Sequence, residues 1–341
     1  MAGSGGMLVR TDSAQAAASA TGDALEHYPA LADAKQRAGS LLAAGDGRAA
    51  GAVIGSDVGL ALAVLREAND GAGAEAAGVR EAADRLGEAR LALLVRDLPV
   101  LDFFQRAGSE ATAVRFAFHA AAVQRVAAVL GRRIGFERPD ELLTAALLHD
   151  VGQLVLTGAA PGYPREVHGD ARTPEERLAA ERRRLRTDHA AAGATLVRAW
   201  GFPQVLVEAI GLHHDESCQG LPAIVRLADL LAHYQHGEPV GPIEVQKAAL
   251  ALGLGRDAVG ALLYDLAYPL EGDASQQICP LTARELDVVR GLAEGKVYKQ
   301  VASDLEVSVS TVRNHAHNAY RKLDVVDRAQ AVMLASERGW L

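Results

Sequence analysis

The sequence is poor in cysteine and in aromatic residues, and both shortages narrow the classes of protein to which it can belong. Two cysteines among 341 residues cannot form a disulfide framework, which excludes a small disulfide-stabilised fold and fits a reducing compartment. Aromatic residues make up only 4% of the chain, whereas alanine and leucine are abundant. Because β-rich proteins depend on aromatic and branched side chains, this composition favours helices, and we expect an all-α protein.

Long apolar runs are also missing. No run approaches the roughly 20 residues that span a bilayer, and residues 1–6 lack the basic and apolar segments of a secretory signal. Apolar residues still make up 49% of the chain, and its length exceeds what a single core usually holds. We therefore expect a cytoplasmic protein of two or three domains with no membrane partner.

The net charge of −8 does not at first favour a nucleic-acid partner, but the charge is unevenly distributed. From Pro280 onward there are nine Lys or Arg and eight Asp or Glu residues, so this segment carries +1 and the remainder −9. What matters for DNA binding is where the cations lie on a surface, not their total.

Helical spacing of apolar residues and changes in composition predict four segments. Residues 1–25 are rich in Gly, Ser and Ala and should be disordered or loosely ordered. Residues 26–265 form a helical domain, residues 266–279 a polar linker, and residues 280–341 a second helical domain. No segment predicts a strand.

Three details of the first domain follow from the same patterns. A helix over 111–130 should end at Gly131, and residues 141–156 should form one buried helix. The densely charged helix over 175–186, which includes Glu181, should be a solvated surface.

The C-terminal segment predicts four short amphipathic helices. Thr282 and Glu285 have the spacing of a capping box at the start of the first, and Ser308 should cap the third. The second and third of these helices are joined by a tight turn and so form a helix-turn-helix. In this motif the second helix, here the third of the segment, enters the major groove of DNA.

The outward side chains of that second helix have the chemistry that DNA recognition requires. Arg313 and Asn314 can make paired hydrogen bonds to guanine and adenine, while cations such as Lys299 can contact phosphates and fix the register. The predicted DNA-binding residues are Lys299, Ser310, Thr311, Arg313, Asn314, His317, Arg321 and Lys322.

The run LTARELDVVRGLAEGKVYKQVASDLEVSVSTVRNHAHNAYRKLDVVDRAQAV resembles the LuxR/NarL-type DNA-binding domain over about 60 residues. The resemblance implies that Arg313, Asn314 and His317 face bases. It implies that the DNA backbone is held by Lys299, Thr311, Arg321 and Lys322. It also implies a homodimer that pairs through the fourth helix, with Val332 and Ala335 at the seam. Val297-Tyr298 departs from the Ser-Asn that usually precedes the Lys of helix two.

Histidine and aspartate residues recur through the first domain in positions compatible with helices. Imidazole and carboxylate groups are the ligands expected for a divalent ion such as Fe, Mn or Zn, and an adjacent His-Asp pair can serve one ion or bridge two. A lone buried histidine is more often hydrogen-bonded than metal-bound, but seven such residues in series change that balance. The candidate ligands are His119, His149, Asp150, His189, His213, His214 and Asp229. No obvious partners are predicted for His27, His168, His233 and His236.

The order of these residues resembles the HD superfamily, and the span from about 27 to 263 is similar to its HDOD branch. Matching pieces are IGSDVGLALAVLREAND, VREAADRLGEARLALLV, ALLHDVGQLVL and DHAAAGATLVRAWGFPQVLVEAIGLHHDE. The resemblance implies an all-helical, usually regulatory domain. This chain retains the ligand set of the HD-GYP phosphodiesterases, but Gln153 replaces their lysine and no Gly-Tyr-Pro follows His214. The resemblance assigns no catalytic residue.

Three functions are compatible with these features. In the first, which we rank highest, the HD-like domain senses a metal, a nucleotide or other small-molecule effector, or a redox change, and controls a DNA-binding domain. In the second, the HD-like domain still hydrolyses a phosphoester. In the third, it is a scaffold for dimerisation or partner proteins that binds no metal.

Overall fold

The computed structural model describes residues 28–71, 75–101, 109–160, 162–267, 279–305, 307–323, 325, 328–337 and 340. The expectations for residues 1–25 and for most of the 266–279 linker lie outside the described residues. The chain divides into two compact units between Leu266 and Ala267, and each is described by itself below.

The N-terminal unit is built from helices and two very short strands. The strands are β1 (Ala30–Leu31) and β2 (Val100–Leu101). The helices before the central region are α1 (Ala32–Ala43), α2 (Gly47–Ile54), α3 (Val58–Asn69) and α4 (Val79–Asp97). The central helices are α5 (Ser109–Arg133), α6 (Pro139–Leu148), α7 (Val151–Ala159), α8 (Arg165–His168) and α9 (Pro174–Leu185). The last helices are α10 (His189–Ala199), α11 (Gln204–Leu212), α12 (Leu221–Gln235), α13 (Pro242–Ala251) and α14 (Arg256–Ala267).

The described residues of the C-terminal unit form four helices, α15 (Ala283–Ala293), α16 (Tyr298–Asp304), α17 (Val309–Lys322) and α18 (Arg328–Glu337). The capping box of Thr282 and Glu285 is present at the start of α15, and the Ser308 hydroxyl accepts from the Thr311 amide at the start of α17. Both cap predictions are confirmed, because these motifs satisfy amides that lack a partner within the helix.

The all-α fold class is confirmed. The one difference is that β1 and β2 pair in parallel, with Ala30 opposite Val100 and Leu31 opposite Leu101. Two residues per strand are too few to produce the alternation from which a strand is recognised in sequence.

The predicted helix over 141–156 is wrong in one respect, because the structure divides it into α6 and α7. The break falls at His149 and Asp150, so these two side chains project from a joint between helices. The predicted end of a helix at Gly131 is also wrong, since α5 continues to Arg133. A Cβ at Gly131 would lie 2.5 Å from Leu142 Cδ2, so this glycine permits close packing of α5 on α6.

Helices α7 and α10 cross with their backbones almost in contact. A Cβ on Gly152 would lie 1.8 Å from the carbonyl oxygen of His189 and 2.6 Å from the amide nitrogen of Gly193. Only glycine can occupy position 152 in this arrangement. The crossing brings the start of α7 next to the start of α10.

One apolar stretch, Pro139–Ala159, is long and apolar enough to cross a membrane by those two criteria alone. It comprises α6 and α7, and 72% of its most apolar window is buried within the N-terminal unit. The bent pair α2 and α3 also meets the criteria if taken as one span, with an angle of 112° between its halves. Burial of this kind is typical of core helices.

Candidate functional site

The seven predicted ligands come from five places in the N-terminal unit. His119 lies on α5, and His149 and Asp150 lie at the α6–α7 joint. His189 begins α10 and Asp229 lies on α12. The pair His213 and His214 immediately follows α11. Because α10 packs on α7 and α11, and α12 packs on α5, α6 and α11, all seven residues are brought together.

The first group that could hold a metal ion contains Asp150, His189, His213 and His214, whose ligand atoms all lie within 4.8 Å of one another. Asp150 Oδ1 is 3.1 Å from His189 Nε2 and 3.6 Å from His213 Nε2. The Nε2 atoms of His189 and His214 are 2.9 Å apart. Four donors of this kind around one point match the coordination number of a zinc-like ion.

A second group surrounds the other oxygen of Asp150 and the carboxylate of Asp229. His119 Nε2 is 2.9 Å from Asp229 Oδ1 and 4.0 Å from Asp150 Oδ2. His149 Nε2 is 3.6 Å from the same two oxygens. The Asp150 carboxylate therefore has one oxygen toward each group, so it could contribute a ligand atom to both.

Hydrogen bonds to the protein backbone determine which nitrogen of two ligands is available. His149 Nδ1 donates to the Ala146 carbonyl at 2.8 Å, and His213 Nδ1 donates to the Ile210 carbonyl at 2.7 Å. In the neutral form of each ring the Nε2 atom carries the lone pair, and both Nε2 atoms are buried without a hydrogen-bond partner among the described residues. Buried polar atoms are seldom left unpaired, so the donor set fits a metal ion.

The charges of the cluster also suit a cation. Burial alone would raise the pKa values of Asp150 and Asp229, but the neighbouring imidazoles hold both well below the usual range for a carboxyl group. Burial lowers the pKa of His214, and the neighbouring His213 and His189 lower it further. The two carboxylates and His214 are therefore in the forms that bind metals. Burial would lower the pKa values of His149 and His189, but the neighbouring carboxylates raise both, so an ion that binds there would displace protons.

His233, which sequence reasoning left without a partner, belongs to the second group. Its Nε2 atom is 3.2 Å from Asp229 Oδ1, and the two residues form a group with His119 that could hold a metal ion. The spacing Asp229-x-x-x-His233 places both on one face of α12 and could have revealed the contact from sequence.

Glu181 is an exception to the prediction that the charged helix over 175–186 is a solvated surface. Its side chain is completely buried, and His168, also left without a partner by sequence reasoning, lies 2.8 Å from its carboxylate. Burial would raise the pKa of Glu181, but hydrogen bonds from His168 and His189 hold it well below its ordinary value. Most other acidic and basic residues of α9 are exposed, so composition concealed this one inward position.

Gln153 occupies the position of the expected lysine. Its side-chain amide donates to Asp150 Oδ2, the oxygen that faces the second group. A neutral amide cannot attract a phosphate as an ammonium group does.

The predicted DNA-binding residues lie on the C-terminal unit, mostly around α17. The side chains of Lys299, Ser310, Arg313, Asn314, His317 and Arg321 are exposed, while Thr311 and Lys322 are partly buried. Val312, Ala316 and Ala319 point into the core of the unit. The exposed side of α17 therefore presents one arginine, one asparagine and one histidine within two turns.

Two residues of this unit are placed differently from the expectation. Lys322 Nζ lies 2.8 Å from Glu285 Oε2, so it ties the end of α17 to the capping box of α15. Ala335 is completely buried in the core of its own unit, so its predicted place at a dimer seam is wrong. Val332 is only partly buried.

Two families match the chain. The HDOD domain matches residues 46–216, just over half of the sequence, and the luxR family of bacterial regulatory proteins matches residues 279–335. The chain belongs to the HDOD family. Its C-terminal unit is a luxR-type helix-turn-helix domain, here called the luxR unit, and the N-terminal unit is called the HDOD unit.

Individual relatives match different parts of the chain. The luxR unit is 49% identical over 53 residues to the spore germination protein GerE of Bacillus subtilis, which covers 16% of this chain and 72% of GerE. A probable transcriptional regulatory protein, NarL of Mycobacterium tuberculosis, is 39% identical over 93 residues, which is 26% of this chain and 42% of NarL. The MmoQ response regulator of Methylococcus capsulatus is similar in structure, with a TM-score of 0.55 and 25% identity over 70% of this chain and 99% of MmoQ.

Proposed function

We propose that this HDOD protein is a transcriptional regulator that binds duplex DNA through its luxR unit. The observation that carries the proposal is the exposed face of α17, where Arg313 and Asn314 have the donors and acceptors that read base edges. Packing within the unit does not require these side chains. We take the domains to be 26–265 and 280–341, joined by the linker 266–279.

We further propose that the HDOD unit holds one or two divalent ions, Fe, Mn or Zn, as part of a sensor. The support is the convergence of imidazole and carboxylate groups, in which the buried Nε2 atoms of His149 and His213 have no hydrogen-bond partner within the part of the chain that the structure describes. A bound ion would act as a Lewis acid and lower the pKa of a coordinated water. This chain would contribute the ligands, the backbone contacts that orient them and the exclusion of bulk water by burial.

A sensor is favoured over a phosphohydrolase by the residue at position 153. The Gln153 amide donates to Asp150, and it provides no positive charge for a substrate phosphate. The retained set of ligands favours the enzyme as the second candidate. Incubation of the metal-loaded protein with cyclic dinucleotides and simple phosphodiesters distinguishes the two, because a sensor should release no product under any metal.

The proposal includes a cytoplasmic homodimer whose two luxR units contact two half-sites on DNA. An effector or a change in metal state would alter the spacing of the two units, so that only one state matches the half-sites. Val332, partly buried on α18, remains a candidate for the dimer contact.

The DNA-binding proposal is tested by gel-shift screening of genomic fragments at low ionic strength. Specific fragments should be retarded by the wild-type protein and released as salt increases, since phosphate contacts displace counterions. A protein that retards no fragment would refute the assignment.

Elemental analysis of the purified protein tests the metal proposal. About one or two ions per chain are expected, because the described ligands form three overlapping groups that share Asp150 and His119. Comparison of DNA affinity with and without the metal then tests whether the two units are coupled.

A further inference from the structure

One buried carboxylate joins the candidate metal centre to a segment that supplies no ligand. Glu181 on α9 accepts hydrogen bonds from the His189 amide at 2.9 Å, the His189 Nδ1 at 2.7 Å and the Tyr163 hydroxyl at 2.8 Å. His168 Nε2 lies 2.8 Å from the other side of the same group, on Oε1. The carboxylate thus meets His189 through Oε2 and residues of the segment 162–168 through Oε1.

We propose that Glu181 is a positioning residue of the metal centre and that it couples metal binding to the docking of residues 162–188. The inference rests on the proposed metal function of the HDOD unit. Glu181 accepts the proton of His189 Nδ1, which leaves Nε2, the atom on the side of Asp150 and His214, as the atom available to a metal ion. A histidine supported in this way by a carboxylate is a stronger and better oriented ligand.

The contacts of the other ligands show what is particular to His189. His149 and His213 are oriented by neutral backbone carbonyls within three residues of themselves, so the local helix geometry suffices to hold them. His189 is the first residue of α10 and is oriented by a charged group eight residues earlier, on a different helix. Its orientation therefore depends on tertiary packing of α9.

A second contact fixes the same junction. Arg182 Nε donates at 2.7 Å to Asp188 Oδ2, while Asp188 Oδ1 caps α10 by accepting from the Ala191 amide. Glu181 and Arg182, which are consecutive in α9, therefore bind the first turn of α10 through two separate interactions. A shift of α9 would also move His189.

Reciprocity follows from linkage. If Glu181 strengthens the binding of the ion, then the ion strengthens the docking of α8 and α9 by the same factor. His168 has 15% of its side chain exposed, so the contacts run from the ligand sphere to the surface of the unit. Metal binding would thereby change the docking of α8 and α9 at the surface of the HDOD unit.

The test compares Glu181→Gln with Glu175→Gln, which removes an exposed carboxylate from the same helix. Titration of each metal-free full-length protein with Mn²⁺ gives the Kd. We expect the Kd to rise about 10–100-fold for Glu181→Gln, the usual effect of losing such a partner, and to be unchanged for Glu175→Gln. The glutamine can donate to His189 Nδ1 and so favour the wrong tautomer.

A second readout separates positioning from a merely structural role. Mn²⁺ should slow amide hydrogen exchange of residues 163–185 in the wild type and in Glu175→Gln but not in Glu181→Gln. A structural role alone would lower the Tm of the metal-free variant while leaving the metal Kd and the exchange response unchanged, and that result would overturn the inference.

Failure of the wider proposal gives a different result, since a wild-type protein that binds no Mn²⁺, Fe²⁺ or Zn²⁺ refutes the metal function itself. If Glu181→Gln does not fold, the double variant Tyr163→Phe, His168→Leu keeps the carboxylate but removes its two other donors. That variant should raise the Kd several-fold and abolish the exchange response, and an unchanged Kd there would equally overturn the inference.

Discussion

The HDOD unit and the luxR unit place their functional side chains in opposite ways. In the HDOD unit the candidate ligands face one another inside a core, and six of the eight residues in the two groups are buried. In the luxR unit the candidate DNA contacts face outward from α17, and most are exposed. Folding alone brings the candidate ligands together, whereas the candidate DNA contacts have their counterparts only when DNA is bound.

Distances within one chain can test an inward-facing site but not an outward-facing one. In a buried site the distances show which polar atoms have a hydrogen-bond partner and which do not. The partnerless Nε2 atoms of His149 and His213 are informative for that reason. An outward-facing helix offers no comparable check, so its family and the chemistry of its side chains carry the argument.

The largest expected effect comes from removing a central ligand. His149→Ala should reduce the metal content from about one or two ions per chain to nearly none, because His149 lies between both carboxylates of the second group. His317→Ala, on the exposed face of α17, is the matched control and should retain the full metal content. Elemental analysis measures the metal content of both variants. Loss of metal from both would contradict the assignment of the metal to the HDOD unit alone.

Asp57 is a buried carboxylate of the HDOD unit that lies outside the candidate metal centre. Burial raises the pKa of Asp57 to about 6, although the carboxylate accepts from the amides of Leu60 and Leu31. Its unfolded value is about 3.9, so the fold favours the protonated form. That stabilisation is complete below about pH 4 and is lost as the pH rises through about 6.

Asp57→Asn should therefore gain about 3 kcal/mol of stability relative to the wild type between pH 4 and pH 7, since asparagine does not ionise. Denaturant unfolding at several pH values measures the difference. Asp84→Asn, at an exposed position on α4, should show no such trend. A flat difference for Asp57→Asn would show that this carboxylate is not strained by burial.

The next effect concerns base recognition by the luxR unit. Arg313→Ala should weaken binding to a specific site by about 1–3 kcal/mol and alter the base preference at one position. Arg284→Ala removes an exposed cation from α15 and serves as the control. Equal loss on specific and random duplexes would indicate a phosphate contact instead of a base contact.

The smallest effect separates two adjacent cations at the end of α17. Lys322→Ala should lower the stability of the luxR unit by about 1 kcal/mol, because the buried Glu285 loses its ion pair. Arg321→Ala should leave stability nearly unchanged and reduce the slope of log affinity against log salt by about 1. Thermal unfolding and salt titrations measure the two effects, and identical behaviour of the variants would remove the distinction.

Much of the architecture was predictable because it depends on local chemistry. The capping residues Thr282, Glu285 and Ser308 act within one helical turn, so their spacing in sequence determines their contacts. The His149-Asp150 pair was likewise recognisable as adjacent donors. What the pattern did not predict is that the pair itself separates α6 from α7.

The missed residues depend on tertiary packing. Glu181 lies in a helix whose charges predict exposure, and only the position of α10 against α9 buries it. His233 has a visible i,i+4 relation to Asp229, but the same spacing is common on exposed helices. Gly131 predicted a helix end because the pattern does not show that Leu142 packs against it.

The missing side chain at Gly152 has a consequence for how such sequences are compared. A methyl group there would force α7 away from α10 and move Asp150 from His189, whose facing atoms are now 3.1 Å apart. Ligand bonds of about 2 Å leave little tolerance for that separation. A homologue could thus conserve every donor and still lose its ion through a single added carbon at a position that no ligand motif includes.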